Sequence, residues 1–287
     1  MSEPAGLAGG FSRFRIDFAY DGTDFNGWAK QPKLRTVQGD LLNVLQQIFG
    51  PTDNDFGMRV AGRTDAGVHA DHQVCHFDLS PQQQKRLGRT PLTATRLNNL
   101  LPADIAVHSV TLAADGFDAR FSAIGRSYKY LITDGLCKPN PKRARYALSV
   151  KKELDVDLMQ QGTRLLVGLR DFGAFCKPRE GATTIRDLRT LTVTRLEDNS
   201  IEVFLEADAF CHNMVRAIVG SLIAVGEKRQ SLAELRVMQE SAVRGAKVKV
   251  IDPKGLTLDA ISYPSDEKLA EQAQRARRRR TAEEISV

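Results

Sequence analysis

The sequence predicts an α+β protein built as two sandwiched α/β domains, with largely antiparallel sheets facing a shared basic cleft. Three observations carry this expectation. Strand-period and helix-period segments follow one another in mixed order, with strand pairs joined by turns. The strict strand–helix alternation of a doubly wound parallel fold is not present. Each half of the chain supplies several strands and two or more helices without a residue-level repeat. The length, 287 residues, is about twice that of a usual domain. A hydrophobic share of 42% and a charged share of 26% are those of a globular chain with a sizeable core, which excludes a disordered or fibrous protein.

The elements follow in order. Phe14–Tyr20 alternates apolar and polar residues, the period of a half-buried strand, and Asp21-Gly22 closes it with turn chemistry. Apolar residues at 37, 41, 42, 45, 48 and 49 make a helical stripe over Thr36–Phe49, with Thr36 as N-cap. Met58–Ala61 and Gln73–Leu79 read as strands. Thr90-Pro91 reads as the opening of a second helix, with Thr90 capping and Pro91 in the first helical position. Strands are expected again at Ile105–Leu112, Arg126–Thr133, Ile185–Arg195 and Ser200–Glu206, and helices at Asp155–Val167, Cys211–Val225 and Leu232–Ser241. The expected organisation is a flexible N-terminus over residues 1–10, an N-terminal α/β domain over 11–115, a C-terminal α/β domain over 116–265, and a polar Arg-rich tail over 266–287.

Charge is distributed unevenly. Residues 116–152 hold nine Lys or Arg against Asp118 and Asp134, a local +7 that exceeds the net +6 of the whole chain. The same stretch holds three of the five tyrosines, Tyr128, Tyr130 and Tyr146. Cations interleaved with aromatics suit RNA or single-stranded nucleic acid, whose bases stack. A merely solvated face is the alternative. The tail from Asp266, with six basic and five acidic residues, is nearly neutral and reads as a polar extension.

Cys75, Cys137, Cys176 and Cys211 stand 62, 39 and 35 residues apart. That spacing points to neither a zinc knuckle nor a disulfide framework, and it fits a cytoplasmic chain. The N-terminus lacks a basic and an apolar targeting region. The longest apolar run, Ala217–Gly226, is half the roughly 20 residues a membrane span needs, so no membrane partner is expected.

The most informative segment is Val60–Ala70. Gly62 and Gly67 bracket Arg63-Thr64-Asp65 directly after a strand, presenting a carboxylate on a tight loop with a guanidinium two residues away. A turn-stabilising Asp is the bland alternative. The helix around Arg216 is apolar almost all round and is therefore expected to be buried. Its arginine needs an anionic partner, either a core carboxylate or a ligand phosphate, and Gly220 one turn on leaves room beside it. His69, His72, Cys75 and His76 have metal-ligand chemistry, yet Cys75 and His76 point to opposite faces of a strand. No metal is expected. With no glycine-rich phosphate loop, Asp171-Phe-Gly173 stands alone and no nucleotide cofactor is expected.

At these residues the sequence resembles the TruA family of tRNA pseudouridine synthases. The resemblance runs from about Phe14 to Pro264, through Tyr20–Trp28, Gly62–His69, Arg120–Ala123 with Arg126–Tyr130, Asp171-Phe172 with Phe175, Met214–Arg216 with Gly220, and Gly255–Leu258 with Tyr263-Pro264. Ala29 and Arg170 stand where the family commonly has Gln and His. The resemblance implies a pseudouridine synthase fold, a homodimer, no cofactor, and a tRNA partner bound by its anticodon stem-loop at uridines 38 to 40. It also implies Asp65 as the catalytic nucleophile, Arg216 as its ion-pair partner, and Tyr128 stacked on the target uracil. Arg63 is expected at the RNA backbone or in the place of the flipped base, and Arg126 beside the substrate. In a strand, Arg126, Tyr128 and Tyr130 share one face, expected to line the cleft. A noncatalytic tRNA-binding or RNA-folding protein using the same basic surface is the rival expectation.

Overall fold

The computed structural model describes residues 10–88, 90–177, 179, 181–245, 248–278 and 280–285. The expected flexible N-terminus therefore falls, apart from Gly10, outside the described residues. The chain forms two compact units. The first runs up to Ile124 and takes up Leu258–Arg278; the second begins at Gly125 and ends at Thr257, with residues 280–285.

The chain contributes to the first unit β1 (Ser12–Tyr20), α1 (Val37–Phe49), β2 (Arg59–Val60), β3 (His69–Leu79), α2 (Pro81–Leu87), α3 (Ala94–Asn98) and β4 (Ile105–Leu112). The second unit holds β5 (Gly125–Thr133), β6 (Leu148–Ser149), α4 (Val156–Thr163), β7 (Gly168–Asp171), β8 (Ile185–Arg195), β9 (Ile201–Ala207), α5 (Met214–Gly226) and α6 (Leu232–Ser241). The chain then gives the first unit most of β10 (Leu256–Ser262) and all of α7 (Leu269–Arg275).

In the first unit the strand order is β4-β1-β3-β10, with β2 paired to β3. β1 runs antiparallel to both its neighbours. Its alternation is realised as expected: Ile16, Phe18 and Tyr20 turn inward. Phe18 packs against Trp28 with ring centroids 5.8 Å apart. The stripe of α1 is buried, and Thr36 caps it by accepting from the Gly39 amide at 3.2 Å. In the second unit the order is β5-β9-β8-β7, antiparallel throughout, and the short β6 runs parallel to β5. Eleven of the thirteen residues of α5 are buried. Gly162 of α4 leaves only 3.0 Å between where a Cβ would stand and Leu222, so the two helices pack closely.

Several expectations are corrected. The helix expected at Thr90-Pro91 does not form there. Ser80 instead caps α2 in a reciprocal box with Gln83, and Thr93 caps α3 by accepting from the Arg96 amide. A cap needs the side-chain oxygen to reach an amide three residues on, and Thr93 meets that condition ahead of α3. The helix expected from Cys211 starts at Met214, because Asn213 adopts a left-handed φ of 68°. Cys176 and Cys211 form a disulfide, Cα atoms 5.7 Å apart, where the spacing suggests no disulfide framework. The loop after β7 meets the approach to α5 there, where the Lys177 amide donates to the His212 carbonyl at 2.9 Å. That pairing is long-range, so spacing carried no trace of it. Residues 116–124 count with the first unit rather than the second: Phe117 is buried there against His76 and Tyr263. The tail is docked as far as α7, where Leu269 and Ala273 are buried.

Candidate active site

Asp65 stands half-buried on the loop between β2 and β3, and Arg63 is exposed beside it. The loop is held from all round. Thr64 Oγ1 shares a 2.7 Å hydrogen bond with the hydroxyl of Tyr20, and Gln73 Nε2 donates to the Gly62 carbonyl at 2.9 Å. The Trp28 amide donates to Thr64 O (3.1 Å) and the Gly67 amide to Phe25 O (3.3 Å), while the Val68 amide closes a turn on Asp65 O (3.2 Å). Gly27 has φ +83°, and a Cβ there would stand 2.9 Å from the Thr64 carbonyl. The segment after β1 is thus glycine-dependent because it lies directly on the Asp65 loop. Tyr20 and Gln73 are buried, and burial pushes the tyrosine phenol up to about 12, keeping it a neutral hydrogen-bonding group.

In the second unit, β5 places Arg126, Tyr128 and Tyr130 on one face, as its period requires. They differ in what they do. Tyr128, 8% exposed, meets Phe210 edge-on with centroids 5.1 Å apart. Tyr130 is fully buried and donates its hydroxyl to Asp252 O at 2.6 Å, so it packs the unit rather than lining an open surface. Arg126 donates to Asp208 O at 2.8 Å. The Asp208 carboxylate accepts from the Asp187 amide at 2.8 Å and pairs with Arg280 at 2.6 Å.

Arg216, near the start of α5, is half-buried and donates Nε to Ile251 O at 2.7 Å. Gly220 does leave room, but for backbone: a Cβ there would collide with the Lys249 carbonyl and stand 3.1 Å from Ile251. The 249–252 segment therefore lies against α5 and takes both the Arg216 and Tyr130 donors on adjacent carbonyls. Arg216, Tyr130 and, two residues along the same face of β5, Tyr128 are tied into one framework.

A model of tRNA pseudouridine synthase matches residues 163–264. The chain is 45% identical over 278 residues to tRNA pseudouridine synthase A of Streptomyces avermitilis, covering 95% of each chain. It is also 45% identical over 276 residues to tRNA pseudouridine synthase A of Cutibacterium acnes, covering 96% of this chain and 97% of that one. The chain belongs to the tRNA pseudouridine synthase family.

For a pseudouridine synthase the structure adds residues that sequence reading passed over. Tyr20, Gln73 and Gly27 hold the loop of Asp65; Phe210 backs Tyr128; Asp208 anchors Arg126. Tyr20 and Gly27 lie inside the opening motif, which was a usable signal. Gln73, Phe210 and Asp208 carried none, because their roles depend on cross-strand and loop partners. The histidines with metal-ligand chemistry have other partners: His69 Nδ1 accepts from the Gly22 amide at 3.1 Å, His72 pairs with Asp17 at 2.8 Å, and His76 Nδ1 accepts from the Ala119 amide at 2.9 Å. Cys75 is wholly buried. Among the described residues no cluster of three or more His, Cys, Asp or Glu is arranged to hold a metal ion, and no helix is long and apolar enough to cross a membrane.

Proposed function

We propose that the chain isomerises uridine to pseudouridine in the anticodon stem-loop of tRNA, at positions 38 to 40, acting as a cytoplasmic homodimer. Asp65 is the nucleophile, Arg216 its ion-pair partner, and Tyr128 the aromatic face for the displaced uracil. Arg63, exposed beside Asp65, contacts the RNA backbone or occupies the place of the flipped base, and Arg126 steadies the strand next to Tyr128. The observation that carries the reading is the Asp65 loop itself. A carboxylate is presented on a turn clamped by Tyr20, Gln73, Phe25 and Trp28, inside the motif that resembles the family's catalytic segment.

The chemistry suits these residues. Isomerisation breaks the bond from C1′ to N1, joins C1′ to C5 of the same base, and releases the C5 proton while N1 takes up a proton from solvent; no atoms or electrons are gained or lost overall. A carboxylate fixed on its loop supplies the nucleophile. The target base must leave its stack to reach the carboxylate, and an aromatic face compensates for lost stacking. Replacing Asp65 with Asn is expected to leave tRNA binding within about threefold while abolishing tritium release from tRNA carrying 5-tritiated uridine. Full turnover in that variant removes the mechanism. A wild-type chain that binds tRNA without releasing tritium would favour the noncatalytic reading instead.

A further inference from the structure

In the first unit three arginines from distant parts of the chain converge on one aromatic ring. The guanidinium carbons of Arg59, Arg120 and Arg277 lie 5.6, 5.4 and 5.0 Å from the centroid of Phe121. All three arginines are exposed and the ring is half-exposed. The arrangement is built rather than incidental. Asp118 accepts from the amides of Arg120 and Phe121 at 2.9 and 3.0 Å and pairs with Arg59 at 2.7 Å, fixing the turn that presents the ring. Arg277 arrives from the opposite end of the sequence because α7 is docked: Leu269 and Ala273 are buried, and Ser122 donates to Leu269 O at 3.1 Å.

We propose that this cluster is an accessory phosphate-binding surface for the RNA substrate, which gives the Arg-rich tail a role outside the catalytic loop. Three arginines gathered on one ring outnumber the one carboxylate paired there, Asp118, and the excess positive charge suits a polyanion while the ring holds the guanidinium groups in place. Guanidinium groups grip phosphate oxygens in a planar, two-pronged way, and such contacts set register without reading sequence. The cluster is continuous with the catalytic segment. Arg59 is on β2, which leads directly into the Asp65 loop, and six residues of chain span at most about 20 Å. An RNA stem-loop engaged at Asp65 therefore passes within reach. This inference rests on the proposed tRNA substrate.

The test uses the full-length chain with Arg277→Glu, and Arg120→Glu with Arg277→Glu together. Binding of whole tRNA is measured across a salt series, alongside tritium release at saturating tRNA. The expected result is about tenfold weaker binding for the double variant, a salt slope shallower by about one per arginine replaced, and turnover at saturation within about twofold of wild type. Arg277→Lys is expected to keep most of the slope. Unchanged affinity and slope in the double variant overturn the proposal, as does an Arg277→Lys variant as weak as Arg277→Glu. A wild-type chain that binds tRNA with the expected slope but releases no tritium fails the isomerase reading while leaving this surface standing.

Discussion

Tyr128 and Tyr130 show how residues with the same sequence pattern part company in the fold. Period-two alternation puts both on one face of β5, but only Tyr128 keeps any exposure; Tyr130 is sealed beneath the 249–252 segment with its hydroxyl bound to Asp252. Burial pushes the Tyr130 phenol upward, so it stays neutral and serves as a donor. Tyr128, by contrast, presents a ring braced edge-on by Phe210. Tyr128→Phe is expected to keep tRNA affinity, since the stacking face survives, while slowing turnover through the late proton removal at C5. Tyr128→Ala is expected to weaken binding and lower turnover by about a hundredfold, given stacking worth about 1–3 kcal/mol per base. Single-turnover rates and tRNA titrations on the two variants check this, and an Ala variant that behaves as wild type refutes the stacking role.

Among the elements, the connection from β1 to α1 matters more than its irregularity implies. Gly27 holds a left-handed backbone, and a Cβ added there would stand 2.9 Å from the Thr64 carbonyl, so it would be both strained and obstructed. Gly27→Ala is expected to destabilise the first unit by about 1–2 kcal/mol and to lower turnover at least tenfold by shifting the Asp65 loop. Tritium release with a denaturant melt checks it; unchanged turnover would show that the loop holds its geometry without the clamp. The same scale explains which helices were legible. α1 follows from an apolar stripe behind the capping Thr36, and α6 stands where a helix is expected, its start fixed by a capping box of Ser231 and Glu234. The start of α5 was not legible, because Asn213 takes a left-handed turn in a segment tied by the Cys176–Cys211 bridge.

For the whole molecule, two titratable groups of the first unit, buried His76 and half-buried Asp17, make stability depend on acid. Burial, with Arg13 adding to it, pushes His76 down to about 4 from an ordinary 6.5. Burial alone would raise Asp17, but hydrogen bonds from His72 and Arg15 prevail and hold it at about 2. The unfolded chain binds more protons than the folded one as pH falls through both intervals. Stability is therefore full above pH 6.5, declines toward pH 4 as His76 is forced to charge, and declines again from about pH 4 to 2 as Asp17 is protonated. The histidine contribution is on the order of 3 kcal/mol. The sole tryptophan, Trp28, is buried in this unit, so its fluorescence reports the first unit's unfolding by itself. Urea midpoints followed by Trp28 are expected to fall between pH 7 and 4, and His76→Asn is expected to flatten that slope. A pH-independent midpoint in the wild type would show that His76 is not buried neutral.

By itself the sequence determined the α+β class, most strands, the stripe of α1, a helix over α6, and Asp65 on a glycine-bracketed loop after a strand. All of these follow from local periodicity, capping and turn chemistry, which act within a few residues of chain. Only the tertiary structure decided which residues hold that loop, where the two units divide, that Cys176 meets Cys211, and that Arg277 joins Arg59 and Arg120 at Phe121. Those facts depend on pairs tens to hundreds of residues apart, brought together by burying apolar faces against partners that no short window of sequence contains.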